Sequence, residues 1–140
     1  MDPRTVKRRA ERLLDLLGLS DRELSVLLTD DERIRELNRD WRGIDRATDV
    51  LAFPMDPGGE TSGERLLGDV VISVETARRQ ASRRALSDLE EITALLVHGV
   101  LHLVGRDHET PEDAAAMEGE ARHLEELLNA RGRPGRSRQR

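Results

Sequence analysis

His98, His102 and His108 stand at positions 0, +4 and +10, with Gly105 at +7. On a helix, residues four apart share a face about 6 Å from each other, the separation at which two imidazoles hold one small cation. Gly105 then lets the chain leave the helix through a left-handed turn, which returns His108 toward the same point. Three histidines with an open fourth position are the ligand set of catalytic zinc, whose water has its pKa lowered to about 7. Neutral imidazoles suit zinc, whereas hard cations such as magnesium prefer oxygen, so the spacing predicts about one Zn2+ per chain. The competing reading makes His98 and His102 hydrogen-bonded core residues with no metal. The sequence has no cysteine, which excludes thiolate metal sites, iron–sulfur ligation, disulfides and cysteine nucleophiles together.

The helix that carries the first two histidines is predicted over 88–104. Ser87-Asp88-Leu89-Glu90 forms a capping box, and Leu89, Ile92, Leu96, Val100, Leu103 and Val104 share one side. His98 and His102 lie nearly opposite with Glu91 and Leu95, so this helix is expected to be central and largely buried. Upstream, Val6, Ala10, Leu13, Leu14 and Leu17 predict a helix over 4–17, stopped by Gly18. Ser25–Thr29 is a short apolar run suited to a buried strand. Thr29 to Glu32 matches a capping box opening a second helix over about 30–40. Asp49–Met55 reads as a strand whose Pro54 marks an edge or an end, 56–63 as a turn, and Leu67–Val74 as another strand. A short helix is expected over 75–84. Thr110-Pro111 starts a last helix with Ala114, Met117, Ala121, Leu124 and Leu128 as its apolar stripe, and His123 falls off that stripe, on the surface. No repeats and no linker appear. The expected fold is a single α/β (α+β) domain over 1–130: a small mixed sheet of three to four strands, about five helices, and a central helix bearing the metal ligands.

Composition limits what such a domain touches. Of 140 residues 36% are hydrophobic and 36% charged, and no apolar stretch approaches the ~20 residues of a membrane span. The N-terminus has no apolar signal core, so a membrane protein or secreted precursor is not expected. Trp41 and Phe53 are the only aromatics, too few to build stacking platforms for single-stranded bases. Residues 131–140 hold five arginines and no acid, which leaves 1–130 with 18 basic and 28 acidic residues, a charge of −10. The tail reads as a solvated, disordered end, or alternatively as a phosphate-binding arm.

The string H-G-V-L-H-L-V-G-R-D-H is similar in spacing to the metzincin proteases, but Gly99 replaces their general-base Glu, and without that carboxylate the protease mechanism loses its proton acceptor. Together with E-L-N-R-D-W-R-G-I-D-R-A-T-D-V-L-A-F-P at 36–54 and L-G-D-V-V-I-S at 67–73, the same string resembles the YbeY family over about residues 25–128. Two positions depart from that family: Arg106 where a Tyr is usual, and Ala52 where a Ser is usual. A further N-terminal strand is frequent in the family, and nothing before Val6 matches it. The resemblance implies a cytoplasmic, metal-dependent, single-strand-specific endoribonuclease in 16S rRNA 3′-end maturation and ribosome quality control. Its zinc ligands would be His98, His102 and His108, and its partners rRNA and the small ribosomal subunit with its assembly factors.

Arg42 is the family-matching cation, expected just after the second helix. A guanidinium makes bidentate contacts with a phosphodiester and never deprotonates, which makes Arg42 the catalytic candidate; the alternative is a surface arginine paired with Asp40 or Asp45. Asp107, adjacent to His108, either orients an imidazole or is a turn-forming residue, and Asp49 and Asp69 serve either catalysis or loop hydrogen bonding. Arg78, Arg79, Arg83 and Arg84 form a basic cluster, solvated or along an RNA path. Two other readings stay open: a metalloprotease, and a noncatalytic zinc-containing assembly factor.

Overall fold

The computed structural model describes residues 2–55, 65–105 and 110–131. Helix α1 (Pro3–Leu16) begins on Pro at its first turn, with the Asp2 carboxylate accepting from the Arg4 N–H. No strand precedes it among the described residues. Strand β1 (Glu23–Thr29) starts two residues earlier than expected, and helix α2 (Asp31–Arg42) starts one residue later and ends two residues later. Asp30, not Thr29, caps α2: its carboxylate takes the Arg33 N–H at 2.8 Å, while Thr29 is spent as the last residue of β1. β2 (Val50–Pro54) and β3 (Leu66–Ser73) complete a three-stranded mixed sheet of order β1-β3-β2, with β1 parallel and β2 antiparallel to β3. Pro54 closes an edge strand, where its missing N–H costs no ladder bond.

α3 (Val74–Arg84) follows β3 directly, capped by Ser73, which is why Val74 leaves the strand assigned to it by its apolar character. α4 (Asp88–Leu103) carries the full capping box of Ser87 and Glu90, and α5 (Pro111–Arg131) is capped by the Thr110 hydroxyl on the Asp113 N–H. The arginine tail beyond residue 131 and His108 lie outside the described residues.

β3 is the central strand; from Val70 to Ile72 its side chains alternate between two cores, while a bulge at Leu67 breaks the alternation below them and Asp69 stays exposed. Leu67, Val70 and Ile72 join the main core with α1, α3, α4 and α5; Val71 joins Ile34 of α2 and Leu51 of β2 in a smaller one. In the main core the buried Arg9 of α1 donates from Nη1 to the Thr93 hydroxyl of α4 (2.8 Å) and to Asn129 Oδ1 of α5 (2.6 Å). A buried guanidinium is tolerated because those bonds replace lost water, and they pin three helices together.

Candidate functional site

From Glu91 to His102 every residue of α4 is buried except His98 and His102. Four residues apart, these two imidazoles form the one opening to solvent in that otherwise buried stretch, with the His98 side chain 49% exposed. The reading of both as buried core histidines is therefore corrected. α4 ends at Leu103, one residue short of expectation, and Gly105 takes φ +87 beyond the cap, the left-handed exit its glycine permits. Two nitrogen donors on one open face, followed by a tight turn, fit a zinc ion. His108, the third expected ligand, and Asp107 are not among the described residues. His123 is exposed, as its place off the α5 stripe requires.

The base of α4 explains the residue beside His98. A Cβ built on Gly99 would sit 2.9 Å from Val70 Cγ1 of β3 and 3.5 Å from Val50 Cγ2 of β2. The helix rests directly on the sheet at this point, so no side chain fits, least of all the carboxylate a metzincin needs. Gly99 is a packing requirement.

A cavity of about 520 Å3 opens beside His98, lined from α4 by Glu91, Ala94 and Leu95, from α5 by Glu118, Ala121, Arg122 and Glu125, and from the other flank by Asp49, Gln80, Arg83 and Arg84. Glu125 Oε2 stands 3.7 Å from His98 Nε2. Glu91 is 2% exposed and accepts from Arg84 Nη1 at 2.8 Å; burial still raises its pKa, outweighing the arginine's opposing pull. Burial raises the Glu125 pKa as well, against the lowering influence of Arg84. Asp49 accepts from the Val50 N–H (2.7 Å) and from Gln80 Nε2 (3.3 Å), tying the approach to β2 to α3. Asp69 is exposed in mid-β3, opposite Ser25 and Phe53.

The sequence did not single out Glu125. Its signal is the 0, +3, +4, +7 spacing of Glu118, Ala121, Arg122 and Glu125, which places them on one face of α5, but only the packing of α5 on α4 gives that face a meaning. The arginine cluster, by contrast, is divided: Arg78 pairs with Asp88, Arg79 with Asp31, and Arg84 with Glu91, while Arg83 lines the cavity.

Arg42 is the last residue of α2 rather than one beyond it, because Gly43 at φ +74 supplies the left-handed cap. It pairs with neither expected acid: Asp40 is held by Arg39 and Asp45 by Arg35. Its Nη2 donates to the Ala52 carbonyl at 3.0 Å, and its guanidinium carbon lies 5.6 Å from the centre of the Phe53 ring. Asp49 O and Met55 N bond to β3, so Ala52, of opposite parity, turns its carbonyl to the free edge of the sheet. There it orients Arg42 while using one of five N–H donors. β2 thus connects the arginine at Ala52 with the underside of the histidine helix at Val50.

The architecture is that of a small α+β enzyme domain with a histidine face on its central helix. Residues 2–129 match the profile of the family described as Endoribonuclease YbeY. Curated relatives of that description include proteins of Sulfurihydrogenibium sp. (53% identical over 76% of this chain and 70% of the relative) and Thermus thermophilus (44% identical over 88% of this chain and 86% of the relative). A Thermotoga maritima protein of known solution structure is similar at a TM-score of 0.65 and 25% identity, covering 96% of this chain and 85% of that one. The chain belongs to the Endoribonuclease YbeY family.

Proposed function

We propose that this member of the family is a zinc-dependent, single-strand-specific endoribonuclease that hydrolyses RNA phosphodiesters in the maturation of the 16S rRNA 3′ end, working in the cytoplasm with the small ribosomal subunit. Family membership makes it an endoribonuclease. The observation that carries the metal is the pair of exposed imidazoles on an otherwise buried helix. Burying helix faces is what stabilises a domain, so leaving two histidines open on the central one has a functional reason.

Zinc held by His98, His102 and His108 would supply a Lewis acid that brings a water to reactivity near neutral pH. The rest of the work falls to the chain. Arg42, oriented by the Ala52 carbonyl and Phe53, binds the phosphodiester and offsets the negative charge that builds on its nonbridging oxygens during attack. Arg83, on the rim of the cavity, meets the neighbouring backbone phosphates, while the bond from exposed Arg84 to buried Glu91 holds the wall of the cavity in place. The protease alternative is set aside: position 99 has no room for a base.

The deciding experiment combines elemental analysis with cleavage of single-stranded RNA and of casein, each with and without a chelator. About one zinc per chain, RNA cleavage lost on chelation, and no casein cleavage are expected. Stoichiometric zinc retained in the His98→Ala, His102→Ala double variant would overturn the ligand assignment. Zinc-replete protein that cuts no RNA would leave the metal a purely structural tie.

A further inference from the structure

Trp41 is the sole tryptophan of the chain, and it is 72% exposed. Its spacing argues for burial instead, since with Ile34 and Leu37 it continues the apolar stripe of α2. Ile34 is buried in the smaller core and Leu37 packs against it, whereas the indole projects past them to Phe53. The two rings meet edge-on, centroids 6.4 Å apart and planes at 61°, a contact that leaves at least one indole face open. The guanidinium carbon of Arg42 lies 5.6 Å from the centre of the same phenyl ring. One side chain thus holds an open indole and the cation assigned to the phosphate next to each other. Arg42 is itself exposed, with one of its N–H donors on the Ala52 carbonyl, and exposed Ile44 extends the apolar surface beyond Gly43. The Arg42 bond and Pro54 close this edge of the sheet, so the ring does not mark a place for a further strand. Keeping an indole in water forgoes the burial that stabilises a domain, and it marks a surface built for contact.

We propose that Trp41 stacks on one base of the RNA, beside the phosphodiester that Arg42 holds, and that this contact makes it a determinant of selectivity for single strands. The inference rests on the reading of Arg42 as the phosphate ligand. Two aromatics do not make a multi-ring platform, but one open ring holds one base. Every base has a π-face, so the ring selects by strandedness and not by sequence. In a duplex each base is already paired and stacked, and bringing it to the indole costs that stacking; a single strand presents its bases free. The occupant is RNA because the open ring adjoins a guanidinium with donors to spare, and a polynucleotide repeats an anion and an aromatic face at adjoining positions along its length. The nearby acids do not oppose the anion, since Asp40 is paired with Arg39 and Asp45 with Arg35.

Because Trp41 is the only tryptophan, intrinsic fluorescence reads it directly. Stopped-flow mixing of the zinc-loaded protein with a single-stranded oligoadenylate RNA should quench the emission before cleavage proceeds. An abasic tetrahydrofuran-phosphate oligomer of equal length, and the same RNA in a duplex, should not. Anisotropy of a labelled oligoadenylate should show Trp41→Ala binding ~10–100-fold more weakly, the scale of one base stacked on an aromatic ring, with Trp41→Phe keeping most of the affinity. The abasic oligomer should bind the parent and Trp41→Ala alike, and both variants should melt near the parent because the ring lies mostly in water. The preference for single strand over duplex in single-turnover cleavage should fall in Trp41→Ala. Emission indifferent to oligoadenylate, equal quenching by the abasic oligomer, or parental oligoadenylate affinity in Trp41→Ala would each overturn the proposal, the last leaving the ring to a protein surface. Failure of the phosphate reading shows separately, as parental cleavage and parental abasic-oligomer binding by Arg42→Ala.

Discussion

The two edges of this sheet are finished in opposite ways. At β2 the outward Ala52 carbonyl is occupied by Arg42, Phe53 lies beneath the guanidinium, Trp41 meets Phe53 edge-on at 6.4 Å, and Pro54 ends the strand without a donor to offer. At β1 the outward groups of Leu24, Val26 and Leu28 have no strand beside them among the described residues, and Leu27 is 44% exposed on the other face. The closed edge lies under the histidine helix, and closing it turns an arginine into a positioned cation. Among the described residues the β1 edge keeps apolar alternation and outward ladder groups. Among the described residues the same three-stranded sheet is thus closed on the side of the histidine helix and open on the other.

The largest expected effect breaks the closed side from beneath. Gly99→Glu forces a buried carboxylate against Val70 and Val50, and should cost on the order of 3 kcal/mol or more, read as a lowered denaturation midpoint. It should also give no casein cleavage, since α4 must lift off the sheet to accept it. Proteolysis appearing in a stably folded Gly99→Glu protein would show that the helix does not rest there.

Next comes Arg42. Arg42→Lys keeps the charge and loses the planar fork, so single-turnover RNA cleavage should slow ~10–100-fold, with Arg42→Ala slower again and zinc content unchanged in both. The lost Ala52 bond should lower stability by only about 1 kcal/mol, which separates chemistry from fold. Near-parental cleavage by Arg42→Ala would reduce its position on the β2 edge to a structural finish.

Asp31 governs how the β1 edge is anchored. Immediately after β1, its carboxylate accepts from the hydroxyls of Ser73 and Thr76 and from Arg79, and the Ser73 bond leads in lowering its pKa from 3.8 to about 2. A carboxyl held below its unfolded value contributes stability that is complete above pH 3.8 and is lost as pH falls through about 2. Solvent screening keeps the contribution at neutral pH to about 1 kcal/mol, so Asp31→Asn should melt lower than the parent at pH 7 and converge with it near pH 2. A gap that stays constant with pH would assign the loss to packing.

The smallest effect is at the ring under Arg42. Phe53→Leu removes the edge-on contact with Trp41 and the cation–π contact and should cost about 1 kcal/mol, with a modest loss of cleavage. Cleavage at the parental rate in Phe53→Leu would show that the ring takes no part in positioning Arg42.

Much of the framework was legible in the sequence because it depends on neighbours within about a turn. The Ser87–Glu90 capping box, the Gly105 exit, the Pro54 strand end and the one-turn spacing of His98 and His102 all follow from local geometry. Local reasoning failed where two local solutions compete. Thr29 and Asp30 are both good caps, and β1 claimed Thr29 by pairing it with Ser73, 44 residues on. Arg42 had two acids nearby in sequence, yet both were already held by other arginines, and a strand carbonyl took it instead.

By itself the sequence determined which residues have the chemistry of metal or phosphate ligands, roughly where helices start and stop, and which faces are apolar, since side-chain chemistry and backbone periodicity are properties of short segments. Only the tertiary structure decided that Gly99 must be bare because α4 lies on Val70, that Glu125 of α5 stands beside His98, and that one edge of the sheet is closed and the other open. Those outcomes depend on which distant surfaces are pressed together, and close packing selects among them by volume and unpaired polar groups, neither of which a single segment contains.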